Sequence, residues 1–142
     1  MPVVVKRVYE KAVRSDGTRV LVDRLWPRGI RKEAAALDAW LKSLAPSDGL
    51  RKWFHANPEQ WAVFRKRYLQ ELEAPEAAAA LQELYDLAHD RKRLTLLFAS
   101  RNLEHNNAIV LKELLEGMRK PPSSTTRAGA AAGRARAARA RR

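Results

Sequence analysis

Apolar positions fall at two spacings along the chain, one suited to strands and one to helices. Val3, Val4 and Val5, followed by Val8 and Tyr9 with Lys6 and Arg7 between, are β-branched and aromatic and predict a strand. Ser15-Asp16-Gly17 is a turn signal. Val20-Leu21-Val22 opens a second strand, expected to run on through Asp23, Arg24, Leu25 and Trp26 until Pro27 closes it, with an irregular loop at Pro27-Arg28-Gly29. Four helical patterns follow. Leu37, Trp40, Leu41 and Leu44 are spaced i, i+3, i+4, i+7 and predict a helix that Pro46 stops. Ser47 is placed to cap a short helix carrying Leu50, Trp53 and Phe54. Asn57-Pro58-Glu59-Gln60 reads as a helix start, with Asn57 as N-cap and Trp61, Phe64, Tyr68 and Leu72 on the inner face. Pro75 opens the next helix, with Leu81, Leu84, Tyr85 and Ala88 inward. The continuous run Leu94–Ala99 has the length of a strand covered on both faces, as in a parallel sheet. After a polar stretch, Ala108, Leu111, Leu115 and Met118 mark a last helix, with Gly117 near its end.

The connection between the first two strands is shorter than the dozen or so residues a parallel crossover usually takes. A hairpin and a parallel arrangement with a short irregular crossover both remain open. Either way the helices after the second strand favour a layered α/β domain: a small, mainly parallel sheet with a helix-rich insertion between the second and last strands. That domain is expected over residues 1–118. From Pro121-Pro122-Ser123-Ser124-Thr125-Thr126 onward the chain reads first as a linker and then as Ala, Gly and Arg only, too poor in large apolar groups to offset the entropy of ordering, so 119–142 is expected to be a disordered basic tail. Charge divides the same way. Residues 1–118 hold 20 basic and 16 acidic side chains, whereas 119–142 hold 8 basic and none acidic. The absence of cysteine excludes disulfides, thiolate metal sites and a cysteine nucleophile. No apolar run approaches membrane-spanning length and no cleavage-like segment follows Lys6 and Arg7, so a soluble, cytoplasmic protein without a membrane partner is expected.

Val20-Leu21-Val22-Asp23-Arg24-Leu25-Trp26-Pro27-Arg28-Gly29, Leu44-Ala45-Pro46-Ser47, Leu50-Arg51-Lys52-Trp53-Phe54-His55, and Thr95–Ala99 with His105-Asn106-Asn107-Ala108 resemble the YeaO-like branch of the bacterial domain-of-unknown-function family 488. The resemblance covers roughly residues 3–117. It implies a small α/β domain with the second and last strands parallel in one sheet, and it implies no particular activity. In the wider family an Asp-Val-Arg strand end before a proline resembles Asp23–Pro27 here, and a Cys-His-Arg helix start resembles His105-Asn106-Asn107. This chain lacks that cysteine, so thiol chemistry does not carry over to it.

In an open α/β sheet ligands bind at the carboxyl ends of strands. Two loops leave such ends: one holds Asp23, Arg24, Trp26 and Arg28, the other Ser100, Arg101, Asn102 and then His105, Asn106 and Asn107. On parallel neighbouring strands these groups would meet. Arg24, Arg28 and Arg101 would then hold a small anion, phosphate or carboxylate, since guanidinium forks match both. Asp23 would orient Arg24, Asn106 and Asn107 would donate hydrogen bonds, and Trp26 would wall the site; whether catalysis accompanies binding is left open. The plainer alternatives are an Asp23–Arg24 buried pair, helix capping by the two asparagines, and purely packing roles for Trp26, Trp40, Trp53 and Trp61. His55, His89 and His105 lack metal-ligand spacing, Ser47 has no base beside it, and no Gly-rich phosphate loop is present, so no metal or cofactor is expected. Arg65-Lys66-Arg67 and Arg91-Lys92-Arg93 read as solvated decoration. In the tail, Arg127, Arg134, Arg136, Arg139, Arg141 and Arg142 form a sparse basic arm of the kind that neutralises phosphates, which makes non-specific nucleic-acid association the competing reading.

Overall fold

Every residue of Leu94–Phe98 is buried, and this strand, β4, lies inside a four-stranded sheet. The computed structural model of the chain describes residues 3–90 and 93–117. β1 (Val3–Arg7) pairs with β4 in parallel, from Val3 opposite Leu94 to Arg7 opposite Phe98. β2 (Thr18–Leu21) pairs in parallel on the other side of β4, from Thr18 opposite Leu94 to Leu21 opposite Leu97. A two-residue β3 (Ala39–Trp40) completes the order β1-β4-β2-β3, again parallel. The first two strands are therefore neither a hairpin nor direct neighbours. The chain between them steps over β4 through a short 3-10 turn, Arg14–Asp16.

The alternation of side chains in the strands gives the sheet two different faces. Val3, Val20, Val22, Leu94, Leu96 and Phe98 join one core with the helices. Those helices are α2 (Asp48–Ala56), α3 (Trp61–Glu71), α4 (Pro75–Asp90) and α5 (Asn107–Gly117). On the opposite face Leu21, Leu97 and Val8 pack under Trp26, Leu37 and Trp40, which belong to the long connection after β2 and to β3. That connection contains only one turn of helix, α1 (Lys32–Ala35). The polar part of this second face is built around Asp16. Its carboxylate accepts from Lys6 Nζ at 3.0 Å, from Arg19 Nη1 at 2.6 Å and from the Val13 N–H at 3.0 Å, while its carbonyl accepts from Thr95 Oγ1 at 2.6 Å.

Three sequence expectations are corrected. Residues 37–44 form no α-helix: they give β3 and then a 3-10 turn, Lys42–Leu44, because their apolar side chains divide between the two faces of the sheet, Leu37 and Trp40 to one and Leu41 and Leu44 to the other. Asn57 does not cap the start of α3. It closes α2 instead, its side chain donating to the Trp53 carbonyl at 2.9 Å, and α3 starts after Gln60. β2 ends at Leu21 rather than running to Pro27, although the Val22 N–H still donates to the Leu97 carbonyl at 3.1 Å. Ser47 caps α2 as expected, accepting from the Leu50 N–H, and Pro75 opens α4. Met118, the arginines of 127–142 and the Arg91-Lys92 pair lie outside the described residues. Among the described residues no helix is long and apolar enough to cross a membrane.

Candidate anion site at the strand ends

Because β1, β4 and β2 run in one direction, the loops that follow them leave the same rim of the sheet. Asp23 and Asn107 tie two of these loops together. Asp23 Oδ2 accepts from the Ala99 N–H at 2.9 Å, and Oδ1 accepts from Asn107 Nδ2 at 3.1 Å. The same Nδ2 donates to the Val22 carbonyl at 2.9 Å, so both its protons hold the turns. Trp40 Nε1 donates to the Asp23 carbonyl at 2.7 Å. The turn after residue 22 and the turn after residue 99 therefore meet. Asp23 faces inward to Ala99 and Asn107 and makes no bond to Arg24 among the described residues. Burial raises the Asp23 pKa above the ordinary carboxylate range, against the Ala99 N–H, Asn107 and the Arg51 charge, all of which lower it.

Tyr68 stands beneath this junction. It is fully buried and its hydroxyl donates to the Leu44 carbonyl. Burial, with the negative charges of Asp23 and Glu71, pushes its pKa well above the ordinary phenol value, while the neighbouring Asn107 works the other way. It is a neutral strut at physiological pH. The third loop, after β1, is joined to the others by Arg7, which donates to the carbonyls of Ala99 and Ser100, each at 2.9 Å. Its guanidinium lies 4.8 Å from the centre of the Tyr9 ring, and the Tyr9 hydroxyl donates to the Arg28 carbonyl at 2.9 Å.

The loop after β4 is organised by its asparagines. Asn102 Oδ1 accepts from the N–H groups of Glu104 and His105. Asn106 Oδ1 accepts from the Ile109 N–H at 3.0 Å while its Nδ2 donates back to the Asn102 carbonyl, which is N-capping geometry for α5. Trp26 donates through Nε1 to the Ile30 carbonyl at 2.8 Å and meets Trp40 edge-on, with 5.3 Å between ring centres. Arg24, Arg28 and Arg101 are exposed, and among the described residues none of their guanidinium groups makes a hydrogen bond or an ion pair. The structure thus divides the seven candidates: Asp23 and Asn107 bind the two loops to one another, Asn106 caps α5, Trp26 fastens the Pro27 loop, and the three arginines are exposed.

The rim is open. Two grooves lie elsewhere: one of about 540 Å³ between α2 and α3, walled by Trp53 and Arg67, and one of about 480 Å³ beside Trp40 and α4. Neither includes a candidate residue. His105 stacks on Trp61, ring centres 4.5 Å apart, and His55 is exposed at the end of α2. No group of three His, Cys, Asp or Glu among the described residues is placed to hold a metal ion. Sequence reasoning missed Arg7, Tyr9 and Tyr68. Arg7 carried one signal, a long cation inside a run of valines; the partners of the two tyrosines lie 19 and 24 residues away and leave no local mark.

A family model described as "Inactive DUF488-N3 subclade" matches residues 2–129. The chain is 46% identical to the uncharacterized protein YeaO of Escherichia coli (strain K12) over 118 residues, which cover 83% of this chain and 100% of that protein. It is 44% identical over 113 residues to the uncharacterized protein Mb3100c of Mycobacterium bovis, covering 80% of this chain and 92% of that one. The uncharacterized protein Rv3073c of Mycobacterium tuberculosis matches with the same identity and the same coverage. No solved structure matches.

Proposed function

The chain belongs to the YeaO-like part of the DUF488 family, and from that premise we propose that its strand-end rim is an anion-binding site without catalytic chemistry. The observation that carries this reading is the set of three exposed guanidinium groups, at Arg24, Arg28 and Arg101, without a partner among the described residues, on two loops that Asp23 and Asn107 lock together. The ligand presents phosphate or carboxylate oxygens, which guanidinium forks take up in bidentate fashion. The loops are fastened to a parallel sheet, so little ordering is required when the anion arrives. Three points support a rim without catalysis. The subclade is described as inactive. Asp23, the acid between the two loops, is engaged by the Ala99 N–H and Asn107. The rim residues Arg24, Leu25, Arg28, Arg101 and Leu103 are exposed to water, whereas general acid–base and nucleophilic steps gain most in an enclosed site. Calorimetric titration with inorganic phosphate and with citrate tests the reading. Binding is expected to the unaltered chain and to be lost in the Arg24→Ala, Arg28→Ala double variant; equal affinity in both proteins contradicts it.

A second reading rests on the sequence alone. Residues 119–142 carry eight basic and no acidic side chains, and the whole length of YeaO is matched by 118 residues of this chain, so the shared domain does not require an arm of this size. A cytoplasmic protein with such an arm would bind nucleic acid without sequence preference. Retardation of duplex DNA at low salt by the full chain, and not by a chain ending at Met118, is the expected result.

A further inference from the structure

Among the described residues five large apolar side chains are exposed: Tyr9 at 41%, Val13 at 47%, Leu25 at 61%, Val63 at 37% and Leu103 at 60%. Three of them, including the two most exposed, sit on three different loops of one rim. Tyr9 follows β1, Leu25 follows β2 and Leu103 follows β4. The last two of these loops also carry Arg24, Arg28 and Arg101, and Leu25 is the immediate neighbour of Arg24. Arg7 and Tyr9 join the loops through the Ala99, Ser100 and Arg28 carbonyls. We propose that this rim docks a polypeptide segment of a partner protein that is both acidic and apolar, its carboxylates on the three arginines and its apolar side chains on Tyr9, Leu25 and Leu103. The inference rests on the anion-binding reading above and names its ligand class.

Arginine and aromatic side chains around aliphatic ones are the composition of protein interfaces, where Lys is depleted and Arg and Tyr supply anchoring contacts. A small anion would satisfy the guanidinium groups and leave both leucines in water. A nucleic-acid backbone would do the same. A second copy presenting this rim would set arginine against arginine. A lipid surface calls for a broad apolar face, and here three apolar side chains are interleaved with charge. Charge complementarity therefore selects an acidic partner, and Leu25 and Leu103 select one that also carries apolar groups. Glu10 and Glu104 are exposed at the same rim and limit how many carboxylates the partner can present. Tyr9 is held in place by the Arg28 carbonyl and by Arg7 over its ring, so it loses little freedom on docking.

The test compares two labelled peptides of equal length and charge, a polyglutamate interspersed with leucines and the same peptide with serine at each leucine, by fluorescence anisotropy with the full chain. The leucine-bearing peptide is expected to bind roughly tenfold more tightly. The Leu25→Ser, Leu103→Ser variant is expected to erase that difference while its affinity for inorganic phosphate stays unchanged; both positions are exposed, so folding is not at risk. Arg24→Ala with Arg28→Ala weakens both peptides. Equal binding of the two peptides by the unaltered chain overturns the inference and leaves the anion site standing, whereas absence of phosphate, citrate and peptide binding removes the reading beneath it. If duplex DNA or phosphatidylglycerol vesicles, and not the leucine-bearing peptide, lose affinity in the leucine variant, the rim serves a nucleic acid or a membrane and the inference fails.

Discussion

Asp16 accepts hydrogen bonds from Lys6 on β1, Arg19 on β2 and the Val13 N–H, and its carbonyl takes the Thr95 hydroxyl of β4. Burial works against its charge, yet the Val13 N–H, Lys6 and Arg19 outweigh it and hold the Asp16 pKa below the ordinary value. A carboxylate whose folded pKa lies below its unfolded one adds stability above the unfolded value, about 3.9, and that stability is lost as pH falls through the folded pKa. Asp16→Asn leaves Lys6 and Arg19 without their counter-charge, at a cost of about 3 kcal/mol near neutral pH. Urea unfolding over a series of pH values from 7 downward checks this: the gap between the two proteins should hold from pH 7 to about pH 4 and narrow as the pH falls further, and a constant gap contradicts it. The next residue is constrained by the backbone. Gly17 has φ +69° and ψ −133°, and a Cβ there would stand 2.5 Å from the Arg93 carbonyl oxygen, which accepts from the Thr18 N–H. Gly17→Ala should cost about 2 kcal/mol or more, read as a lowered midpoint in thermal unfolding.

At the scale of elements, the junction of β2, β4 and α5 depends on Asn107, the first residue of α5. Replacing it with Ala removes both donors from the Val22 carbonyl and the Asp23 carboxylate. The Asp23 pKa, already raised by burial, should rise further, and stability should fall by about 2 kcal/mol. Asn106→Ala should instead cost about 1 kcal/mol, as the loss of an N-cap, and leave Asp23 unmoved. A carbon-detected NMR titration of the Asp23 carboxyl separates the two roles. How much of this was legible in the chain depended on the range of the interaction. The unbroken run Leu94–Phe98 announces a strand buried on both faces, and the two rim loops follow from it and from the second strand once both are parallel. Leu37, Trp40, Leu41 and Leu44 mislead, because a stretch that feeds two opposite cores in turn copies the spacing of one helical face. Asn57 has the chemistry of a cap but no mark of which helix it serves. The Asp23 partners lie 76 and 84 residues away, so sequence pointed to its neighbour Arg24 and the fold supplied Ala99 and Asn107.

For the molecule as a whole, charge is divided unequally between the domain and its C-terminal arm: 20 basic against 16 acidic over 1–118, and 8 against none over 119–142. Binding to duplex DNA by release of condensed counterions scales with the number of phosphates neutralised, and the logarithm of affinity falls against the logarithm of salt by about 0.9 per phosphate. Six arginines lie between 127 and 142. If each neutralises one phosphate, the full chain should show a slope of about −5. The domain offers mixed charge, several of its surface cations being paired, such as Arg65 with Glu113 and Lys112 with Glu116, and should contribute little to that slope. Arg24 and Arg28 sharpen the test, because they belong to the rim and not to the arm. Their double alanine variant should leave the DNA slope within about one of its original value while abolishing phosphate and citrate binding. A slope that survives removal of 119–142, or that falls by about two when Arg24 and Arg28 are replaced, would transfer the phosphate contacts to the strand-end rim and merge two activities that are otherwise independent.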